Sequence, residues 1–381
     1  MNPRLPYSLA IKPVGSKCNL DCSYCYYLNH NTGMKDPMSE ERLDQVISAH
    51  IRAQPTYTRS VDFIWHGGEP MLRGLAFYKA AITKQQRYSN GKLISNTIQT
   101  NGTLINESWA RFFKQQQFMV GISLDGPHLF NDIARIDLKG QSSFERTLRG
   151  MTILKQHQVE FNTLTVVNNR TFRHGAHIYR FLRDSGSRYL QFQPCIDHEL
   201  DRRTNYNWSL SGEEWGTFLC EVFDQWCQQD IGLVYVQFFE NCLMILLEQP
   251  SQMCHHAKTC GQQLMMESNG DVFSCDHYGY DEYQLGNIEN TPLQQMINSD
   301  QQRQFGLDKH HALPTVCQAC DFLPLCQGGC PKNRTGTTAQ GETTNLLCEG
   351  YKMFFRHALP RLLKMTDAIT QGYHPKFYTL F

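Results

Sequence analysis

The 381 residues carry 36 Lys plus Arg against 36 Asp plus Glu, so the formal charge at pH 7 is 0 and no bulk positive potential is offered to nucleic acid or anionic membrane. With 41% apolar and 19% charged residues the chain can bury a large core, in one large domain plus a smaller one or in two comparable ones. The longest apolar stretches, such as Cys242–Leu247, stop far short of the roughly 20 residues of a spanning helix. The opening Met1-Asn2-Pro3-Arg4-Leu5-Pro6 has no apolar signal core. A cytoplasmic protein with no membrane and no nucleic-acid partner is expected. In a reducing compartment fifteen cysteines point to metal ligation rather than to disulfides.

In chain order, Ser8–Val14 reads as a strand ending at Gly15, and a polar segment through Pro37 leads to a helix over Ser39–Arg52. Arg42 stands where a capping box needs Glu or Gln. Strands follow at Val61–Trp65, Leu93–Gln99, Phe118–Leu124, Val159–Val167 and Arg188–Gln193, with helices at Gly74–Arg87, Asn106–Gln115, Ser142–Gln156 and Arg173–Asp184 between them. The alternation predicts six parallel strands with external helices. Periodicity alone does not choose between an incomplete barrel and an open doubly wound sheet. A helix over Ser211–Gln229, a short strand at Leu233–Gln237 and a helix ending near Leu247 close this half, and Pro250 marks the boundary. Short hairpins and cysteines then dominate until a final helix at Tyr351–Ile369.

Directly after the first strand, Cys18, Cys22 and Cys25 are separated by three and two residues. Three thiolates on one loop can bind three irons of a 4Fe-4S cluster and leave the fourth iron open, with a zinc knuckle as the competing occupant. The second strand ends at His66-Gly67-Gly68-Glu69-Pro70, where glycines permit close backbone approach and carbonyls and an acid can accept from an ammonium. Ser123 ends another strand and is suited to a short hydrogen bond, and the Arg135 fork suits a carboxylate. Asp125 reads as structural. The C-terminal half holds Cys254, Cys260 and Cys275, then Cys317, Cys320, Cys326, Cys330 and Cys348, enough for two fully ligated four-iron clusters, with structural zinc again the alternative. Cys195, Cys220, Cys227 and Cys242 remain; Cys220 and Cys227 fall in an apolar helical pattern, and Cys195 lies near a strand end.

The CxxxCxxC loop, with Tyr24 before its third cysteine, and the Gly67-Gly68-Glu69-Pro70 run resemble the radical S-adenosylmethionine superfamily, and the later array resembles the SPASM extension of anaerobic sulfatase-maturating enzymes. The segments Ile98–Leu104, Lys155–Asn162 and Leu285–Ile288 extend that resemblance over nearly the whole chain. It implies a partial (β/α)6 TIM-like barrel over 1–250, a SPASM domain over 251–350 and a C-terminal helix and tail over 351–381. It also implies three 4Fe-4S clusters: a radical-generating one on Cys18, Cys22 and Cys25, a nearer auxiliary one on Cys254, Cys260, Cys275 and Cys330, and a farther one on Cys317, Cys320, Cys326 and Cys348. S-adenosylmethionine would bind the open iron and be cleaved reductively to a 5'-deoxyadenosyl radical, with Tyr24, Gly68, Glu69, Ser123, Arg135 and Ile196 around it.

The family reaction oxidises a cysteine or serine in a Cys/Ser-x-Pro/Ala-x-Arg motif of a sulfatase polypeptide to 3-oxoalanine, with Asp276 matching the proposed base and a flavodoxin- or ferredoxin-type protein as electron donor. His66 departs from the glutamine common before the glycine pair, which leaves the choice of cysteine or serine open. A maturase that crosslinks another ribosomal peptide is the competing enzyme, and a peptide-binding protein with structural clusters the non-enzymatic reading.

Overall fold

The computed structural model describes residues 6–29, 36–198, 207–338 and 340–380; stretch 1–5 of the opening segment and 30–35 of the polar segment lie outside them. The first half alternates as β1 Ser8–Ile11, α1 Glu40–Ala53, β2 Ser60–Trp65, α2 Leu75–Tyr88, β3 Leu93–Thr100, α3 Glu107–Gln115, β4 Met119–Ser123, the short α4 His128–Asn131, α5 Phe144–Gln156, β5 Phe161–Val167, α6 Gly175–Asp184 and β6 Tyr189–Pro194. After α7 Gly212–Gln229 come β7 Tyr235–Val236 and α8 Gln237–Leu246. The strands β1 to β7 lie side by side in chain order, each parallel to the next. A doubly wound sheet reverses its strand order at a switch point. Strands β1 to β7 show no such reversal, so the fold is the partial TIM-like barrel, with the short Tyr235–Val236 strand added at the β6 edge.

The cysteine-rich half contributes β8 Gln263–Met266, β9 Asp271–Phe273, β10 Gln284–Asn287, α9 Leu293–Ile297, α10 Asp300–His311, α11 Thr315–Gln318, α12 Leu323–Cys326, the hairpin β11 Gly336–Thr337 with β12 Thr343–Thr344, and α13 Cys348–Thr370. Strand β8 pairs parallel with β1, in the register Leu9 to Leu264 and Ile11 to Met266, and β9 and β10 follow as an antiparallel meander. The two halves therefore share one ten-stranded sheet. This pairing brings residues after β9 next to those after β1.

Several element ends differ from the sequence reading for local reasons. β1 stops at Ile11 rather than Val14, because Pro13 has no amide to donate and the chain turns with Gly15 N donating to Lys12 O. Helix α6 starts at Gly175 after a 3-10 turn over Phe172–His174 rather than at Arg173. The final helix begins at Cys348, three residues before the expected Tyr351, so a cysteine opens it. Ser39 caps α1 by accepting from Arg42 N alone, whereas Ser211 and Glu214 form a full capping box on α7.

Helix α13 packs on α7, with Phe354 against Phe223 and stacked on Phe239 at 5.4 Å between centroids. The contact depends on Gly350: a Cβ there would lie 2.1 Å from Gly212 O. Gly350→Ala is expected to push the helices apart and lower stability by about 1–3 kcal/mol, read as a fall in Tm.

A second prediction concerns acid. His50 on α1 is fully buried between Tyr7 OH at 3.0 Å and Asp62 O at 3.0 Å. Burial lowers its pKa from 6.5 to about 4. The unfolded chain then binds the proton first, so stability falls as pH drops through this window, by about 3 kcal/mol for this group. Equilibrium unfolding across the window should be shallower for His50→Gln. Among the described residues no helix is long and apolar enough to cross a membrane.

Candidate functional site

The residues with chemistry stand where parallel strands end. Lys12 follows β1, His66 β2, Asn101 β3, Asp125 β4 and Cys195-Ile196 β6. The cysteine loop between β1 and α1 is pinned from two sides. Asp21 N donates to Ile136 O at 2.8 Å and Ser23 N to Ala134 O at 3.1 Å, while Leu20 N and Asn101 Nδ2 point at Cys18 Sγ at 3.4 and 3.8 Å. Such donors suit a thiolate.

The Gly67-Gly68-Glu69-Pro70 turn docks on the same loop. Gly68 N donates to Gly15 O and Glu69 N to Lys17 O, both at 2.9 Å, and a Cβ on Gly68 would lie 2.1 Å from Lys17 O. Glu69 is fully buried, and burial pushes its pKa up to about 7 against the opposing donors Asn101 N and Met71 N. Both its oxygens accept from Thr100 Oγ1. Glu69 thus ties this turn to the end of β3, and the backbone of the turn forms the face beside the cysteines.

Across the loop, Tyr24 OH donates to Asp125 Oδ2 at 2.5 Å and receives Arg135 Nη1 at 2.9 Å, while Asp125 Oδ1 accepts from Val166 N. Arg135 is buried, and among the described residues its Nε has no hydrogen-bond partner, a donor left over for an anionic group. Ser123 Oγ accepts from Gln99 Nε2 at 3.0 Å, which leaves the hydroxyl proton to donate. Ile196 packs partly buried on the core, and Cys195 is buried in a satellite cluster with Ala134 and Trp208 beside Tyr24. Cys220 and Cys227 pack partly buried from α7, and Cys242 is buried on α8.

All fifteen cysteines are free thiols. Burial pushes Cys18 to about 11 and Cys22, Cys260 and Cys326 to about 12, so a metal has to draw out their protons. The later thiols act on one another in two groups. Cys260, Cys275 and Cys330 each feel Cys254, whereas Cys326 feels Cys348 and Cys317, and Cys348 feels Cys317 and Cys320. Among the described residues no three His, Cys, Asp or Glu side chains converge on the volume of a single metal ion. Between the two groups lies Lys309 of α10, fully buried, which donates to Ala257 O and to Gln327 O. Burial lowers its ammonium to about 8.

Asp276 sits next to Cys275 at the end of β9, and the β1–β8 pairing brings it to Lys12. Lys12 Nζ lies 2.5 Å from Asp276 Oδ1 and 3.4 Å from the Tyr27 ring centroid, and Tyr26 OH donates to Asp276 Oδ2 at 2.7 Å. Burial alone would raise the Asp276 pKa, but the Lys12 ammonium, His66 and His277 hold it well below the usual carboxylate range. Tyr27 OH in turn donates to Glu267 Oε1 at 2.6 Å.

The sequence reading did not single out Lys12, Tyr26, Glu267 or Lys309. Lys12 had a signal: a lone lysine in an apolar strand is costly to bury unless it is paired. Its partner lies 264 positions along the chain by residue number.

Comparison with known proteins agrees with this arrangement. Residues 13–182 match the radical SAM superfamily profile, and residues 254–321 match SPASM, an iron-sulfur cluster-binding domain. The chain is 40% identical over 374 residues to a serine-type anaerobic sulfatase-maturating enzyme of Bacteroides thetaiotaomicron, covering 93% of this chain and 90% of that one. A cysteine-type anaerobic sulfatase-maturating enzyme of Clostridium perfringens (strain 13 / Type A) is 34% identical, covering 96% and 99%. The solved structure of native anSMEcpe with bound AdoMet and Kp18Cys peptide superimposes with a TM-score of 0.87 at 33% identity, covering 95% and 99% of the two chains.

Proposed function

Because the chain belongs to the anaerobic sulfatase-maturating enzymes of the radical S-adenosylmethionine superfamily, we propose that it oxidises a serine or cysteine side chain of a sulfatase polypeptide to 3-oxoalanine (formylglycine). The observation that carries this reading is kinship across 93% of the chain to a maturase, joined to a strand-end site in which Asp276 of the second half meets Lys12 of the first. The protein is an oxidoreductase that binds S-adenosylmethionine and a peptide.

We assign the ligands of three 4Fe-4S clusters as Cys18, Cys22 and Cys25; Cys254, Cys260, Cys275 and Cys330; and Cys317, Cys320, Cys326 and Cys348. The mutual influence of the thiols supports the last two sets. Bound together, the open-iron cluster and S-adenosylmethionine supply an acceptor for one hydrogen atom. The Gly68 turn and Ser123 would line this cofactor, Arg135 would take its carboxylate, Tyr24 would hold Arg135 in place, Glu69 would fix the turn and Ile196 would close the adenine side. We assign the domain division at 250 and 350; the profile matches at 13–182 and 254–321 fall on either side of 250, and β8 continues the barrel sheet across it.

Converting –CH2OH to –CHO removes one hydrogen atom, one proton and one electron. Asp276 takes the proton at Oδ1 or Oδ2. Its depressed pKa keeps it ionised and ready, but makes it a weak base, so the proton leaves only as loss of the β-hydrogen acidifies the hydroxyl or thiol. The electron goes to the sulfur-rich half adjoining Cys275. A thioaldehyde formed from cysteine is hydrolysed to the same product. A flavodoxin- or ferredoxin-type donor supplies the electron that starts each turnover.

Anaerobic incubation with reductant, S-adenosylmethionine and a Cys/Ser-x-Pro/Ala-x-Arg peptide tests the assignment. The expected product is a peptide aldehyde captured by a hydrazide, from protein holding about twelve irons. A crosslinked peptide, or cofactor cleavage with the peptide unchanged, would overturn it.

A further inference from the structure

His66 occupies the last position before the glycine pair at the end of β2. Gly67 N lies 2.8 Å from its Nδ1. A backbone amide can only donate, so Nδ1 accepts and the neutral ring carries its proton on Nε2. Burial lowers the His66 pKa to about 4, so the ring is neutral at working pH. The ring is only partly covered, and among the described residues its side-chain hydrogen bond is the one at Nδ1.

His66 follows Trp65, which pairs with Ile11, and His66 N donates to Ile11 O at 2.8 Å, so His66 stands beside Lys12, whose Nζ lies 2.5 Å from Asp276 Oδ1. Around it, Lys12 Nζ is ion-paired with Asp276 Oδ1, Tyr26 OH donates to Asp276 Oδ2, and His277 stands edge-on to the Tyr26 ring at 5.9 Å. A side chain entering beside Asp276 would meet an acceptor, the carboxylate, and a neutral ring donor, the His66 Nε2–H. A hydroxyl uses both, donating its proton and accepting on oxygen. A thiol uses the acceptor but gains little from the donor, because sulfur accepts weakly.

We propose that His66 is the specificity-determining residue that fits this site to serine, its Nε2–H donating to the substrate β-oxygen while Asp276 accepts the hydroxyl proton. This rests on the maturase reading. The step balances as before: the C–H bond gives its hydrogen atom to the cofactor-derived acceptor, the O–H proton goes to Asp276, one electron goes to the sulfur-rich half, and C–O becomes C=O. Kinship points the same way, at 40% identity to a serine-type maturase against 34% to a cysteine-type one.

The test uses reconstituted full-length enzyme with two peptides that differ only in Ser or Cys at the target position. His66→Leu should lower the Ser/Cys ratio of kcat/KM by about 10–100-fold, the loss expected when a hydrogen-bonded hydroxyl loses its donor. His66→Gln, which keeps an N–H of similar reach, should recover most of the ratio, while His66→Asn, with a shorter amide, should not. Iron content and Tm report any structural damage. If His66→Leu fails to hold iron, the Gln and Asn variants decide. An unchanged ratio, in Leu or between Gln and Asn, overturns the proposal. A wild-type enzyme that converts neither peptide overturns the maturase reading instead.

Discussion

Asp276→Asn should hold its iron and still cleave S-adenosylmethionine, yet form aldehyde about 10²–10⁴-fold more slowly. An amide can still receive the Tyr26 hydroxyl but cannot take a proton. The substitution has a structural cost as well. Lys12 is fully buried and Asp276 is its carboxylate partner. Stranding that ammonium costs about 3–5 kcal/mol. A double variant, Lys12→Met with Asp276→Asn, separates the two effects, since it removes both charges and should regain most of the stability without regaining product. Tm and anaerobic aldehyde yield, measured on the wild type and the variants, check the pair of expectations. Normal product from Asp276→Asn would remove the carboxylate from the proton-transfer step.

Gly68→Val should abolish cofactor cleavage and lower iron from about twelve to about eight per chain. A Cβ at Gly68 meets the Lys17 carbonyl at 2.1 Å, and this obstacle is backbone that cannot swing aside. Lys17 precedes Cys18, so relief of the clash displaces the first ligand of the cysteine loop. Gly74, six residues on, is the control. A Cβ there meets nothing within 4 Å, although φ is +78°. Gly74→Ala should therefore cost only the roughly 1–3 kcal/mol of an unfavourable backbone conformation and keep full iron. Iron analysis and deoxyadenosine formation distinguish the two variants.

The strand and helix repeat was legible because each strand of the barrel is a short apolar run between amphipathic helices, and its boundaries came out within a few residues. The sheet order was not, since parallel pairing is set by crossover packing rather than by the composition of any one strand. Nor could periodicity show that Leu264–Met266 extends the barrel beside Leu9–Ile11. The cysteines announced themselves by spacing. Their supporting groups did not, because Lys12 and Lys309 act through partners distant in the chain or through backbone carbonyls. Arg135 reads as a surface charge in isolation, and the structure buries it against Tyr24. Glu69 was expected at the cofactor edge; its oxygens are taken up by Thr100, Asn101 and Met71, so its work there is to hold the turn.

The central claim is that hydrogen is taken from the substrate β-carbon by a radical made at the Cys18, Cys22 and Cys25 loop. The most direct measurement uses a peptide whose target residue carries deuterium only on its β-carbon, incubated anaerobically with reduced enzyme and S-adenosylmethionine. Deuterium appearing in 5'-deoxyadenosine, in step with peptide aldehyde, is the predicted result. Aldehyde formed alongside unlabelled 5'-deoxyadenosine would contradict it.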